Sequence, residues 1–290
     1  MSRSWPCVVT LCCCVLWSES FVRAAEFENT WLSYSGNTPD AIVVSWRTAK
    51  PCASIVEYGP DDTLGRSIVR LEPTTLHHVE IPLDDIALKL RYRVLDSDKQ
   101  ASAIFTCVVD PGDEFRVAVV ANWQGRPKLD ALMADRPHLL MTCGDNIADL
   151  HRACGVGATD CVEPYAALIA AYPDLFRTTP FMPILGNHDR EIRPRGDKPP
   201  AEPVYDVEAT AFRKFFVLPD DEWKWRFDVP KFGLRFLALD LNHISDQGTT
   251  WATCHPLDAE SEQLRWYRAT GSNRSPIHDH VAERTQLHDA

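Results

Sequence analysis

Positive charge is scarce in this chain. There are 30 Lys and Arg residues against 41 Asp and Glu, a formal net charge of −11. A nucleic-acid binder needs a basic footprint, and this composition gives that class no support. Attraction to an anionic membrane surface is disfavoured for the same reason. Long apolar runs are also lacking: beyond the first residues, none approaches the roughly 20 needed for a membrane-spanning helix. No C-x2-C pair occurs after Cys14, which removes the zinc-ribbon class. Internal repeats and low-complexity tracts are absent too.

The chain does have a start suited to export. Arg3 is followed by the apolar stretch 7–17 and by Val22-Arg23-Ala24, a small-residue cleavage pattern, so residues 1–24 are expected to be a signal peptide and the protein secreted or periplasmic. A lipid on Cys12 is the rival arrangement, though Leu11 is a poor small-residue neighbour. Arg3 and Arg23 outweigh Glu19, so the remainder is one unit more acidic than the whole. A phosphate-bearing substrate would then need local positive charge, expected here from bound metal rather than from the global field. Six cysteines remain after residue 24 (Cys52, Cys107, Cys143, Cys154, Cys161 and Cys254), and six allow fifteen pairings. The favoured bridge is Cys154–Cys161, which brackets a Gly-containing loop able to close on itself.

The 290 residues and 45% hydrophobic content allow two domains. Short apolar stretches at 41–46, 54–58, 67–71, 78–81, 92–95 and 104–109, separated by turn signals, predict a β-sandwich over 26–110. The pair His77-His78 is expected on the sheet surface, its members facing opposite sides. After Asp110-Pro111-Gly112-Asp113 the pattern becomes strand–helix–strand. Strands are expected at 115–120, 138–143, 179–185, 225–229 and 234–239, and helices at 128–135, 163–177, 209–216 and 260–267. This alternation predicts an α/β domain over 114–268, followed by a disordered tail at 269–290.

Two strand ends carry the chemistry. Gly186-Asn187-His188-Asp189 follows the apolar 181–185, and Gly144-Asp145-Asn146 follows the apolar 139–143. A Gly at the end of such a run presents the next side chains at the rim of a sheet, where α/β proteins place their sites. An amide oxygen, an imidazole and a carboxylate in a row suit metal coordination and proton transfer. Taken singly, Asp145 could cap a turn and His188 could be a surface imidazole.

These two motifs resemble those of the calcineurin-like metallophosphoesterases. The strand-rich segment before them is similar to the fibronectin-III-like N-terminal domain of the purple acid phosphatases. The resemblance covers about residues 30 to 266 and implies an N-terminal β-sandwich with a four-layer αββα domain. It also implies hydrolysis of a phosphate mono- or diester by a metal-bound hydroxide. Two metal ions (Fe, Zn or Mn), about 3.5–4 Å apart, would share Asp145. Asn187 would ligate the second, His188 would contact the phosphate or protonate the leaving oxygen, Asp189 would orient His188, and Asn146 would lie near the substrate.

The chain departs from that pattern in three places. Where the first motif of the family has Asp, this sequence has Asn122, a neutral and weaker ligand, with Gln124 nearby. The position of the tyrosine that colours purple members is Ala148. The two later His motifs have no clear counterpart: His243 and His255 read as polar loop residues, and His278 and His280 stand in the tail without a strand to aim them. The domain is therefore expected to be incomplete. The resulting expectation is an exported phosphoesterase-like hydrolase of impaired metal occupancy; the alternative is an inactive relative that binds or scaffolds.

Overall fold

The structure, a computed structural model, describes residues 27, 29–124, 128–196, 202–241, 243–244, 252–253 and 258–272. The expected signal segment, Cys254, His255, His278 and His280 lie outside these residues. It is a mixed α/β protein: an antiparallel β unit followed by an α/β unit. Among the described residues, no helix is long and apolar enough to cross a membrane.

The β unit is built on two long strands, β2 (Ala41–Gly59) and β3 (Arg66–Pro82), paired antiparallel along most of their length. The sequence signals at 41–46 and 54–58 belong to one strand, as do those at 67–71 and 78–81. The interruptions between them are a register irregularity from Arg47 to Ser54, not turns. Pro51 and Pro73 fall within these interrupted stretches, as expected of residues that cannot donate to a ladder. On its other edge, β2 pairs first with β1 (Thr30–Ser33) and then with β4 (Lys89–Leu95), which carries β5 (Phe105–Val108). The first half of β2 is buried on both faces from Ile42 to Trp46, whereas β4 alternates, with Leu90, Tyr92 and Val94 inside. Burial on both faces means that a second layer covers this half.

That layer is the α/β unit. Trp31 of β1 stacks on Phe215 with centroids 4.2 Å apart, and Ser33 Oγ donates to the Val217 carbonyl at 2.8 Å. Tyr92 Oη donates to the Arg177 carbonyl at 2.7 Å. One continuous hydrophobic cluster thus runs through both units.

In the α/β unit, β6 (Val117–Val120), β7 (Leu139–Thr142) and β8 (Phe181–Met182) form a parallel sheet in sequence order. A separate antiparallel pair joins β9 (Trp225–Val229) to β10 (Leu234–Ala238). Trp225 Nε1 donates to the Pro183 carbonyl at 3.3 Å and so ties β9 to the chain leaving β8. The expected 179–185 strand is shortened because Pro180 and Pro183 bracket it. The expected 163–177 helix is two helices, Glu163–Ala171 and Pro173–Phe176, with Tyr172 at φ −140° between them. Pro173 drives its predecessor out of the helical region, which breaks the stripe. The last helix runs Glu262–Ser272, so 269–272 are helical and not part of a disordered tail. Further short strands, His243–Ile244 and Ala252–Thr253, pair with each other. The Cys154–Cys161 bridge is present.

His77 and His78 do face opposite sides, but they are not on the surface. His77 is fully buried, stacked on Trp46 at 4.5 Å, with Ser54 Oγ 2.8 Å from Nδ1 and Thr48 Oγ1 2.9 Å from Nε2. His78 pairs with Ser45 Oγ at 2.8 Å. On the side of His78 the cover comes from Trp31 and the second layer, and on the side of His77 it comes from the neighbouring side chains of β2, neither of which a strand pattern records. Burial pulls both histidines down to about 4. In the unfolded chain they titrate near 6.5, so it takes up protons first as the pH drops. The stability they contribute is present at neutral pH and is lost as pH falls from about 6.5 to about 4. Urea unfolding at stepped pH should show the midpoint declining across that window, with a shallower decline in His77→Gln. Equal slopes in the two proteins would show that His77 is not held neutral in the fold.

Candidate functional site at the rim of the parallel sheet

Because β7 and β8 run parallel as neighbours, the chain leaves both at the same edge, and the two motifs meet there. Their contact is between backbones. A Cβ on Gly144 would sit 2.8 Å from Gly186 Cα and 2.9 Å from the Leu185 carbonyl oxygen. A Cβ on Gly186 would fall on the backbone nitrogen and carboxylate of Asp145. Gly144 also has φ +89°, a region other residues avoid. Asp145 follows at φ +57°, left-handed backbone that Asp tolerates better than most.

The loop after β6 closes over the same turn. The Asn122 N–H donates to the Gly144 carbonyl at 3.1 Å and the Gln124 N–H to the Asp145 carbonyl at 2.9 Å. Three strand ends therefore converge, bringing Asn122, Asp145, Asn187 and His188 to one rim. Asp145 is half-buried, and its Oδ1 accepts the His188 backbone N–H at 3.3 Å. The side chain of Asn187 makes no hydrogen bond among the described residues and is partly exposed.

Two expected roles are not met. Asn146 does not face a substrate: it is fully buried, with Oδ1 accepting from Thr142 Oγ1 at 2.6 Å and Nδ2 donating to the Ile184 carbonyl and to Asp189 Oδ2, each at 2.9 Å. Asp189 does not orient His188. Its buried carboxylate faces back into the fold and accepts from the Gly186 N–H at 2.7 Å and from the N–H and Nδ2 of Asn146. Burial pushes this carboxyl up to about 7, partly offset by those donors, with the negative charge of Asp145 adding to the rise. The physical reason for both corrections is the short 3-10 turn His188–Arg190. It sends successive side chains in different directions, so Asp189 points inward while His188 stays at the rim.

His188 is oriented by other groups. Its Nδ1–H donates to the Ala148 carbonyl at 2.6 Å, which leaves Nε2 as the acceptor of the neutral ring. Arg195 Nη2 lies 3.3 Å from that Nε2. Arg195 is itself held by Glu191, with Nε 2.9 Å and Nη2 2.6 Å from the same carboxylate oxygen, and its guanidinium lies over the Tyr205 ring. Glu191 Oε1 is 3.6 Å from His151 Nε2, which is 3.7 Å from Asp149 Oδ1. Glu191 could have been found from sequence, since it stands one turn after His188. Arg195 could not, because the backbone bridge between Glu191 and Tyr205 is what folds it back.

Behind the rim, Arg190 and Asp240 form a fully buried ion pair at 2.8 Å. Gln263 accepts the Asp240 N–H at 2.7 Å and donates to its carbonyl at 3.1 Å, which ties the last helix to the end of β10. Tyr165 Oη donates to the Asp189 carbonyl at 2.8 Å. The motif turn is thus anchored from beneath by Tyr165 and Asp240, the latter held in turn by Gln263.

A pair of metal ions does not fit the described residues. They provide one carboxylate, Asp145, and two neutral amides, Asn187 and Asn122, and the Asn122 oxygen already accepts from Gln124 Nε2 at 2.8 Å. Two cations sharing a site need more anionic or imidazole donors than this. Among the described residues, the group that brings three His, Cys, Asp or Glu ligand atoms together is Cys154, Cys161 and Glu163, and its sulfurs are already bonded to each other. Cavities of about 330 and 260 Å³ lie elsewhere, lined by residues such as Arg116 and His138 or Tyr34 and Phe227.

No family model matches the chain, and no curated protein matches it. Among solved structures, the one titled "Structure of PhoD" is similar at a TM-score of 0.47 and 14% identity, covering 75% of this chain and 52% of that one. The chain spans about half the length of that structure.

The backbone contact gives a direct test. Gly186→Ala forces a methyl onto Asp145, and an overpacked methylene of this kind typically costs about 1–3 kcal/mol. Urea unfolding should show a loss of that size. A change near zero would mean that the two turns are not in contact.

Proposed function

We propose that the chain is an exported phosphoesterase-like hydrolase acting on a phosphate mono- or diester at the rim formed by Asp145, Asn187 and His188. The reading takes 26–110 as a β-sandwich domain and 114–268 as a catalytic domain of metallophosphoesterase type. The observation that carries it is the contact of Gly144 with Gly186, which sets a carboxylate, a free amide and an imidazole of defined tautomer side by side. His188 Nε2, held outward by the bond from Nδ1–H to Ala148, can accept a hydrogen bond or, once protonated, give a proton to a departing alkoxide. The Asp145 oxygen that does not accept from the His188 N–H, Oδ2, makes no hydrogen bond among the described residues and can take a proton from an attacking water. Because the described residues do not fit a metal pair, no step is assigned to one. A second reading, an inactive relative that binds phosphate groups or a partner, is favoured by Asn122, whose neutrality removes a charge from the rim.

The test uses the full purified chain. Metal content is measured together with release of nitrophenol from p-nitrophenyl phosphate and its bis-ester, with Fe, Zn or Mn added in turn. Turnover is expected, and His188→Ala should lower it roughly a hundredfold, the scale of a lost acid–base group. Absence of turnover with either ester would sink the hydrolase reading. If Asn122→Asp then gains both metal and turnover, the binding reading is the correct one.

A further inference from the structure

We propose that Arg195 is the anion anchor of this site, holding a non-bridging oxygen of a phosphoryl group against His188. The inference rests on the reading above for the location of the site, and adds the group that recognises the substrate's charge. A −11 chain offers a phosphate no general attraction. Nearby guanidiniums are engaged elsewhere. Arg190 is buried against Asp240, Arg193 is paired with Glu202, and Arg152 is paired with Asp149. Arg195 differs because its Nη2 reaches His188 Nε2 at 3.3 Å, so it stands at the motif itself.

Its geometry is that of a prepared donor. Nε and Nη2 are committed to one oxygen of Glu191, and the plane lies over Tyr205 with its carbon 5.7 Å from the ring centroid. These contacts remove most of the rotamer freedom that a free arginine would lose on binding. Glu191 is 8% exposed while Arg195 remains 29% exposed, so the pair is supported from below and open above. Nη1 makes no hydrogen bond among the described residues, which leaves its two N–H groups for a ligand. An oxyanion there would also meet His188 Nε2 once that nitrogen is protonated. With Nε and Nη2 held by Glu191, Nη1 presents its N–H groups in a fixed direction, whereas a lysine ammonium in the same place would act only as a point charge.

The experiment is calorimetric titration of the full chain with inorganic phosphate, with methyl phosphate and dimethyl phosphate as further probes to separate monoester from diester recognition. Wild type is expected to bind phosphate, Arg195→Gln to bind at least about tenfold more weakly, the scale of losing a charged hydrogen bond, and Arg195→Lys to fall between them. Arg152→Gln should match wild type. Thermal unfolding of each variant separates lost binding from lost fold, and Arg195→Lys keeps the test open if Arg195→Gln is unstable. Where turnover is measurable, Arg195→Gln should raise KM more than it lowers kcat, which a purely structural role would not do. Equal phosphate affinity in wild type and Arg195→Gln, or no binding by wild type at millimolar phosphate, overturns the inference. Equal affinity with turnover intact leaves the hydrolase reading standing. Binding that depends on Arg195 in a protein without turnover removes that reading and keeps the anchor.

Discussion

The close approach of Gly144 and Gly186 is the constraint on which the site depends. Two parallel strands that end side by side bring two loops together, but a Cβ on either glycine would hold the turns apart. With both side chains absent, the backbone of one turn becomes the floor of the other. Asp145 is then set by contact with Gly186, and His188 by its N–H to the Asp145 carboxylate. The Asn122 loop closes over the top through two backbone bonds. Each of these positions is inherited from the one before it, so the rim behaves as a unit.

Electrostatics divides the motif into an inner and an outer part. Asp189 and Asn146 face inward: Asp189 accepts from the Gly186 and Asn146 N–H groups, and Asn146 donates from Nδ2 to the Ile184 carbonyl. Buried polar groups of this kind stabilise only when fully partnered, and here they are well supplied. Asp145, Asn187 and His188 face outward. The positive charge expected from metal is provided in part by Arg195, a side chain of the protein, although Glu191 offsets much of its net charge. What remains of the guanidinium is directional donor capacity, not field. On the proposed reading, recognition at this rim would rest on short-range hydrogen bonding, which salt screens less than a long-range potential.

The β unit matters to the site although it contributes no residue to the rim. Trp31 stacks on Phe215, which with Tyr165, Phe216 and Phe181 forms an aromatic wall beneath the parallel sheet. Tyr165 ends that wall with a hydroxyl on the Asp189 carbonyl. Aromatic rings give large buried area in a stiff form, so the wall carries position as well as stability. The same packing covers His78, whose ring centroid lies 6.1 Å from that of Trp31, whereas His77 on the opposite side is enclosed by the β2 residues Trp46, Thr48 and Ser54.

Local patterning determined much about this protein. The strand–helix alternation, the bridge between Cys154 and Cys161 and the meeting of the Gly144 and Gly186 motifs were all legible in the chain, because each rests on spacing between near neighbours or on a rule about where parallel strands end. Pro173 could also have been read as the break in the 163–177 helix, since its effect is local. Only the tertiary structure decided which way each motif side chain points. A 3-10 turn of three residues sends Asp189 inward and leaves His188 outside, and no periodicity records that choice. It alone decided that Ala148, with no functional side chain, orients His188 through its carbonyl, and that Arg195 returns to the rim through the bridge to Tyr205. These depend on backbone directions and on contacts between distant segments, and such information is carried by the packed fold and not by the order of residues along it.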